Sequence, residues 1–308
     1  IKGSLFTIGE VAEELGIRIS LCYEVSDRDG EKALIEGIKE NVDYIKHCKE
    51  SNSNMKSGMF GMHASFTLSD RSLEKCMNAS KELDCGYHIH VAEGLADEEK
   101  CIEEHHIRVV ERLKKFNILG EKTIAVHCIH ADDNERDIIL ETGTTVVHNP
   151  ESNMGNAVGV SPAINLIAKG ITVGLGTDGY TSDMFESMKV ANIIHKHHLK
   201  DPSIAWGEVP MMLFENNRKI AEKHFNGTFG IIEEGAVGDV IVVDYNPLTP
   251  MNGSNYNSHI LFGMMGKSVD TTIVNGKVLV KDGKLLNINE DEILAKSREV
   301  CSKLWNRI

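Results

Sequence analysis

The chain has 308 residues, 41% hydrophobic and 26% charged, enough to bury a large core and too apolar for a disordered chain. Its 33 basic and 46 acidic residues leave a formal charge of −13, which excludes a nucleic-acid or anionic-membrane surface as the main partner. No apolar run approaches the roughly 20 residues of a membrane helix, and the seven Cys form no CxxC pair, so the chain reads as cytosolic with reduced thiols.

From residue 4 to about 200, short β-branched runs alternate with stretches of helical period. Strands are predicted over 16–25, 58–65, 86–93, 122–130, 144–150 and 171–179, and helices over 30–48, 69–85, 97–116, 133–142 and 161–168. Such alternation implies a parallel sheet, doubly wound or closed into a barrel. His63, His90, Glu93, His127, His148 and Asp178 all stand at predicted strand ends, on five consecutive strands. His63 to Asp178 spans 115 residues over four steps, about 29 each, close to the βα repeat of a (β/α)8 barrel. A barrel gathers all these ends at one mouth, whereas a doubly wound sheet converges only near its switch point.

After residue 200 the pattern changes. Residues 208–224 remain helical, but 235–245 and 258–286 read as short strands, with Asn275-Gly276 and Asp282-Gly283 at hairpin positions. Residues 289–308 read as an amphipathic helix docked through Ile293, Val300, Leu304 and Trp305. The predicted organisation is a (β/α) barrel over 1–225, a partial β-sandwich over 226–288 and a C-terminal helix over 289–308.

His90 and Glu93 sit three apart where a strand ends, so an imidazole suited to zinc or iron has a carboxylate beside it as general base. Alone, the pair fits better a surface His with an unrelated acid. Asp178, in GLGTDG, fits a metal ligand that accepts a proton, or an Asx cap on a turn. His127 and His148 are each compatible with a buried, satisfied imidazole; their occurrence in consecutive units favours a site. Asn149, Ser152 and Asn153 line the mouth or shape its loop. His195, His197 and His198 read as a solvated helix face, His105 and His106 as surface residues, and Cys22 and Cys128 as core.

HIHVAE (88–93), AVHCIH (125–130), VVHNPESNM (146–154) and LGTDG (175–179) resemble the successive strand motifs of the metal-dependent amidohydrolase superfamily, in its deaminase-like branch. FTIGEVAEELGIR (6–18), TDGYTSDMFESMK (177–189) and FGMMGKSVDTTIVNGKVL (262–279) are closer still to SsnA-like aminohydrolases, also labelled chlorohydrolases. The resemblance implies a TIM-type barrel and hydrolytic deamination of a purine-like or pyrimidine-like amine. It implies His90 and Asp178 as ligands of one divalent metal, zinc ahead of iron, with Glu93 as proton shuttle and His127 orienting the attacking water. Asp178 would also accept a proton, and His63, His148 and Asn149 would contact the substrate. Cyclic-amide or halide hydrolysis, or an inactive scaffold, are the alternatives. The family's first strand carries a His-x-His ligand pair that this chain does not show. Its opening residues match the family's second helix, so the chain is expected to hold barrel strands three to eight. Six strands of eight leave two open parallel edges, and a homo-oligomer acting on a small molecule is expected.

Overall fold

The structure is a computed structural model that describes residues 1–286 and 288–307. A short parallel pair, β1 (Ile19–Leu21) and β2 (Lys56–Gly58), leads into five parallel strands in the order β3 (Phe60–Ala64), β4 (Tyr87–Val91), β5 (Ile124–His127), β6 (Thr145–His148) and β7 (Val173–Leu175). The segment after β1 runs on alongside β3 through a parallel bridge between Val25 and Met62, with the His63 amide donating to the Val25 carbonyl at 2.9 Å. All six predicted strands therefore lie side by side in chain order. The fold is mixed α/β with a parallel central sheet.

The helices cover one face of this sheet. Ile89, Val91, Ala125, Val146 and Val173 point into a core shared with Leu73, Leu113, Ile139 and Leu166. Strand alternation sends His88 and His90 to the other face. Helix boundaries follow local chemistry. Helix α1 (Ser4–Leu15) ends at Gly16, whose φ of 81° is left-handed. Next come α2 (Gly30–Ser51) and α3 (Asp70–Ser80), the latter capped by the Ser69 side chain. The single helix expected over 97–116 is two, α4 (Leu95–His105) and α5 (Val109–Lys115). His106 turns left-handed at φ 60°, and Glu111 closes a capping box on Arg108. Helix α6 (Asp133–Thr142) has the predicted bounds, set by an Asp132/Glu135 capping box and Gly143. Three helices follow: α7 (Pro150–Gly155), α8 (Ala163–Ala168) and α9 (Met184–Leu199). The expected helix over 208–224 is broken into α10 (Glu208–Pro210), a π-helical turn (Met211–Asn216) and α11 (Asn217–His224).

The C-terminal part forms an antiparallel sheet in the order β11 (Lys284–Leu285), β10 (Lys277–Lys281), β9 (Val269–Val274), β8 (Val240–Val243). Its two hairpins turn where expected: Asn275 and Gly276 have φ 50° and 75°, Asp282 and Gly283 52° and 67°. Two expectations fail here. Residues 258–263, read as strand, belong instead to α12 (Tyr256–Gly263), which buries Leu261. The helix α13 (Glu290–Trp305) forms but does not dock, since Ile293, Val300, Leu304 and Trp305 are all at least half exposed. Amphipathic period announces an apolar face, not the surface that covers it. Ile308 lies outside the described residues. No helix of the described residues is long and apolar enough to cross a membrane.

Candidate active site

The strand ends bring the predicted polar residues together by leaving extended geometry. Ala92, His127, Cys128 and Asp178 all have positive φ, at 46°, 74°, 51° and 53°. Left-handed backbone at non-glycine residues costs on the order of 1–3 kcal/mol each and clusters where side chains must be re-aimed. His127 shows the effect. It pairs with Val91, whose side chain is in the core, so regular alternation would bury it there. The break in alternation instead leaves His127 Nε2 3.6 Å from Glu93 Oε2 and 3.9 Å from Asp178 Oδ2. At β3 a register irregularity between Gly61 and Ala64 re-aims His63 in the same way.

Hydrogen bonds fix the orientation of each group. Asn156 Nδ2 donates to Glu93 Oε1 at 3.1 Å, and the Ser152 hydroxyl donates to Asp178 Oδ2 at 2.6 Å. His90 Nδ1 lies 2.6 Å from the His63 carbonyl, which can only accept, so Nδ1 carries the proton and Nε2 is a free lone pair. His63 Nδ1 meets Thr67 Oγ1 at 2.9 Å, while its Nε2 faces Glu24 Oε1 at 3.4 Å. Rings of His90 and His127 stack with centroids 5.6 Å apart. Two groups result whose donor atoms lie within 4.8 Å of one another, Glu93–His127–Asp178 and Glu24–His63–His90. They adjoin through the His90–His127 stack. Asp178 thus belongs to one group and His90 to the other.

Burial sets the charge states. It lowers the His127 pKa, against the pull of Glu93, and pushes His148 well below the usual histidine range, with His195 adding to the effect. Burial alone would raise the Asp178 carboxyl, but the Ser152 hydroxyl, the Gly179 amide and His127 outweigh it and hold the group below its ordinary value. A cavity of about 370 Å3 opens beside the group, lined by His63, Phe66, His90, Glu93, Lys100 and Asn156 among others.

Two histidines sit differently from the mouth residues. His148 shares the core-facing parity of Val146, is 1% exposed, and lies 3.2 Å from His195 Nε2. The reading of His195 as solvated is wrong: it is 1% exposed, on the α9 face that also buries Met188, Ala191 and Asn192. The spacing of those four was the missed signal. His197 and His198 are exposed. Asn149 is buried, its Oδ1 so close to Gly176 that any Cβ there would collide with it. Asn153, weighed as lining the mouth or shaping its loop, accepts from His127 Nδ1 at 2.8 Å.

The Amidohydrolase family model matches residues 4–279. The chain belongs to the amidohydrolase family. This amidohydrolase is 32% identical to a 5'-deoxyadenosine deaminase of Methanococcus maripaludis (strain C6) over 98% of its own length and 72% of the relative's. It is 30% identical to a 5-methylthioadenosine/S-adenosylhomocysteine deaminase of Desulforudis audaxviator, over 96% of this chain and 69% of that one. Among solved structures it is similar to an adenosine deaminase from Xanthomonas campestris with bound zinc, with a TM-score of 0.89 at 22% identity, covering 98% of this chain and 70% of that chain. That likeness shows the shared fold.

The mouth also fits a cation. His127 Nε2 is buried without a hydrogen-bond partner and faces two carboxylate oxygens, of Glu93 and Asp178. Acceptors converging on one point with no donor between them are what a divalent ion requires, and nitrogen with oxygen suits zinc.

Proposed function

We propose that this amidohydrolase removes an amino group hydrolytically from a heteroaromatic ring, with an adenine nucleoside as the leading substrate class. The observation that carries the reading is the convergence of Glu93, His127 and Asp178 on one unsatisfied buried point beside a cavity large enough for a purine. The deaminase names of its relatives support it. In this reading the parallel strands are successive members of a (β/α)8 barrel, and the mouth lies at their C-terminal ends.

His90, through its free Nε2, and Asp178 would hold one divalent ion, zinc ahead of iron, where the two groups adjoin at the His90–His127 stack, which leaves His127 Nε2 to the water rather than the ion. When bound, the ion supplies positive charge that brings the acidity of a coordinated water near neutrality. The chain's residues do the rest. Glu93 takes a proton from the attacking water and delivers it to a ring nitrogen, its Oε2 free because Asn156 engages Oε1. His127 accepts a hydrogen bond from that water through Nε2 and so fixes the line of attack on the amino-bearing carbon. Asp178 takes the remaining water proton and passes it to the leaving amine. One water is consumed, a carbon–nitrogen bond is exchanged for carbon–oxygen, and ammonia leaves. His63 and Phe66 flank the ring from one side of the cavity.

Metal analysis and ammonia release decide the proposal. The metal-loaded protein is expected to release ammonia from 5'-deoxyadenosine or a related aminopurine nucleoside. Glu93→Gln is expected to retain metal and lose about 10²–10⁴ in kcat, the usual scale of general acid–base catalysis. Unchanged kcat would remove Glu93 from its role, and no ammonia from aminopurines, aminopyrimidines or pterins would sink the deaminase reading.

A further inference from the structure

Behind the mouth, four side chains from four elements form one line. His127 at the end of β5 meets Asn153 of α7 (Nδ1 to Oδ1, 2.8 Å). Asn153 Nδ2 meets His148 Nδ1 at the end of β6 at 3.4 Å. His148 Nε2 meets His195 Nε2 of α9 at 3.2 Å. All four residues are at least 99% buried, so solvent cannot substitute for a missing partner.

With the central amide oriented this way, donor and acceptor follow along the whole line. An Asn oxygen only accepts and its nitrogen only donates, so His127 Nδ1 must carry a proton and His148 Nδ1 must not. Neutral His148 then has its proton on Nε2 and donates it to His195, whose Nε2 must be bare and whose proton is therefore on Nδ1. The consequence at the mouth is that His127 Nε2 is a lone pair, aimed between Glu93 and Asp178. Were the Asn153 amide turned over, its nitrogen would face His127 Nδ1 and force the proton onto Nε2, blocking that point. A turned amide would also set its oxygen against the lone pair of His148 Nδ1. Turning the amide would require His148 to move its proton to Nδ1 and His195 to move its own to Nε2, so the amide and the two imidazoles reorient together or not at all.

We propose that Asn153, His148 and His195 are positioning residues that lock His127 in the Nδ1-protonated tautomer, so that a residue of α9 with no access to the cavity sets the direction of the hydrogen bond at the reacting centre. The effect on turnover rests on the function proposed above; the tautomers themselves do not.

Two-bond nitrogen–proton spectra of the full chain labelled with 15N-histidine, assigned through single His→Gln variants, read the tautomers directly and need neither metal nor substrate. His127 and His195 are expected as Nδ1–H, the form disfavoured in free histidine, and His148 as Nε2–H. Nε2–H on His127 in the unmodified protein would overturn the proposal whatever the enzyme's activity. In the active protein, Asn153→Leu is expected to return His127 to Nε2–H and lower kcat about 10–100-fold, with KM and metal content near those of the parent, the range for partners that orient a site residue. His195→Leu should lower kcat and His195→Gln, whose side-chain oxygen can accept from His148, should restore it. Should Asn153→Leu fail to fold, the parent spectrum and the His195 pair still decide: equal kcat in both His195 variants would leave His195 without a positioning role.

Discussion

Glu98 and Glu135 share one guanidinium, that of Arg108, whose Nε is 2.7 Å from Glu135 Oε2 and whose Nη2 is 3.3 Å from Glu98 Oε1. Each also receives an amide at the start of α5, Val109 to Glu98 at 3.2 Å and Val110 to Glu135 at 2.8 Å. One cation for two buried acids leaves negative charge in excess. Burial and, after it, the Glu135 carboxylate push Glu98 up to about 8. A carboxyl raised in the folded state keeps its proton where the unfolded chain has lost it, so stability falls as pH climbs from the ordinary Glu range toward about 8. Urea unfolding should show the parent losing about 1–2 kcal/mol between pH 5 and pH 8, and Glu98→Gln losing less than half of that. Parallel pH curves would exonerate Glu98. Nothing in the linear pattern marks this cluster. Glu98 and Glu135 read as polar positions on amphipathic helices, and a charge is buried only when partners arrive from elsewhere, as Arg108 does for Glu98 from 10 residues away and for Glu135 from 27. His90, Glu93 and Asp178 are legible because a strand end is a local feature. The course of His148 was also legible: in TVVHNP it alternates with Val146 and so faces the helices.

Among the elements, β7 is a three-residue strand that ends three residues before Asp178, and within the sheet it pairs with β6 on one side. Val146 and His148 serve its inner side through the Val146 amide and Gly176. On its outer side, Asn217 both donates to the Leu175 carbonyl and accepts from the Leu175 amide, each at 2.9 Å, while Asn216 Nδ2 donates to the Val173 carbonyl at 2.9 Å. Two side-chain amides thus stand in for a neighbouring strand. Both come from where the π turn gives way to α11, Asn216 being its last residue and Asn217 the next. Asn217→Leu keeps the volume and removes both bonds to Leu175. We expect a loss of about 1–3 kcal/mol, the cost of stranding buried backbone groups, with faster hydrogen exchange at the Leu175 amide and little change at Ala125. Unaltered exchange at Leu175 would mean that water or a neighbour satisfies the edge. A helical period over 208–224 conveys none of this, because a π turn preserves the apolar spacing on either side and betrays itself only through its hydrogen bonds.

At the scale of the molecule, the antiparallel sheet is tied to the parallel layer by a residue that enters the chain before either sheet is built. Arg18, ahead of β1, is nearly buried, places its guanidinium 5.0 Å from the Phe229 ring and 5.6 Å from that of Phe225, and donates to the Asn54 carbonyl. It grips Asp239, one residue before β8, through Nε at 2.8 Å and Nη2 at 3.2 Å, and Asp239 Oδ1 also accepts from the Asn275 amide in the β9–β10 turn at 2.7 Å. Hairpin signals and strand alternation foretell the small sheet, but a contact across 221 residues leaves no trace in local pattern. Burial favours the protonated form of Asp239, yet Arg18 and the Asn275 amide prevail and hold its pKa below the ordinary value. A carboxyl depressed in the folded state contributes stability above the unfolded pKa and loses it as pH falls through the folded one, so this tie should weaken only in acid, below about pH 4. Asp239→Ala strands the guanidinium at neutral pH and should cost about 1–3 kcal/mol, felt unevenly. Amides of β8 and β9 should exchange faster by 10-fold or more while those of β4 and β5 keep their protection, since the parallel core makes no use of the pair. Uniform loss of protection across both sheets would show instead that they unfold as one cooperative unit, and no change in β8 would assign the docking to the aromatic stack on Arg18 alone.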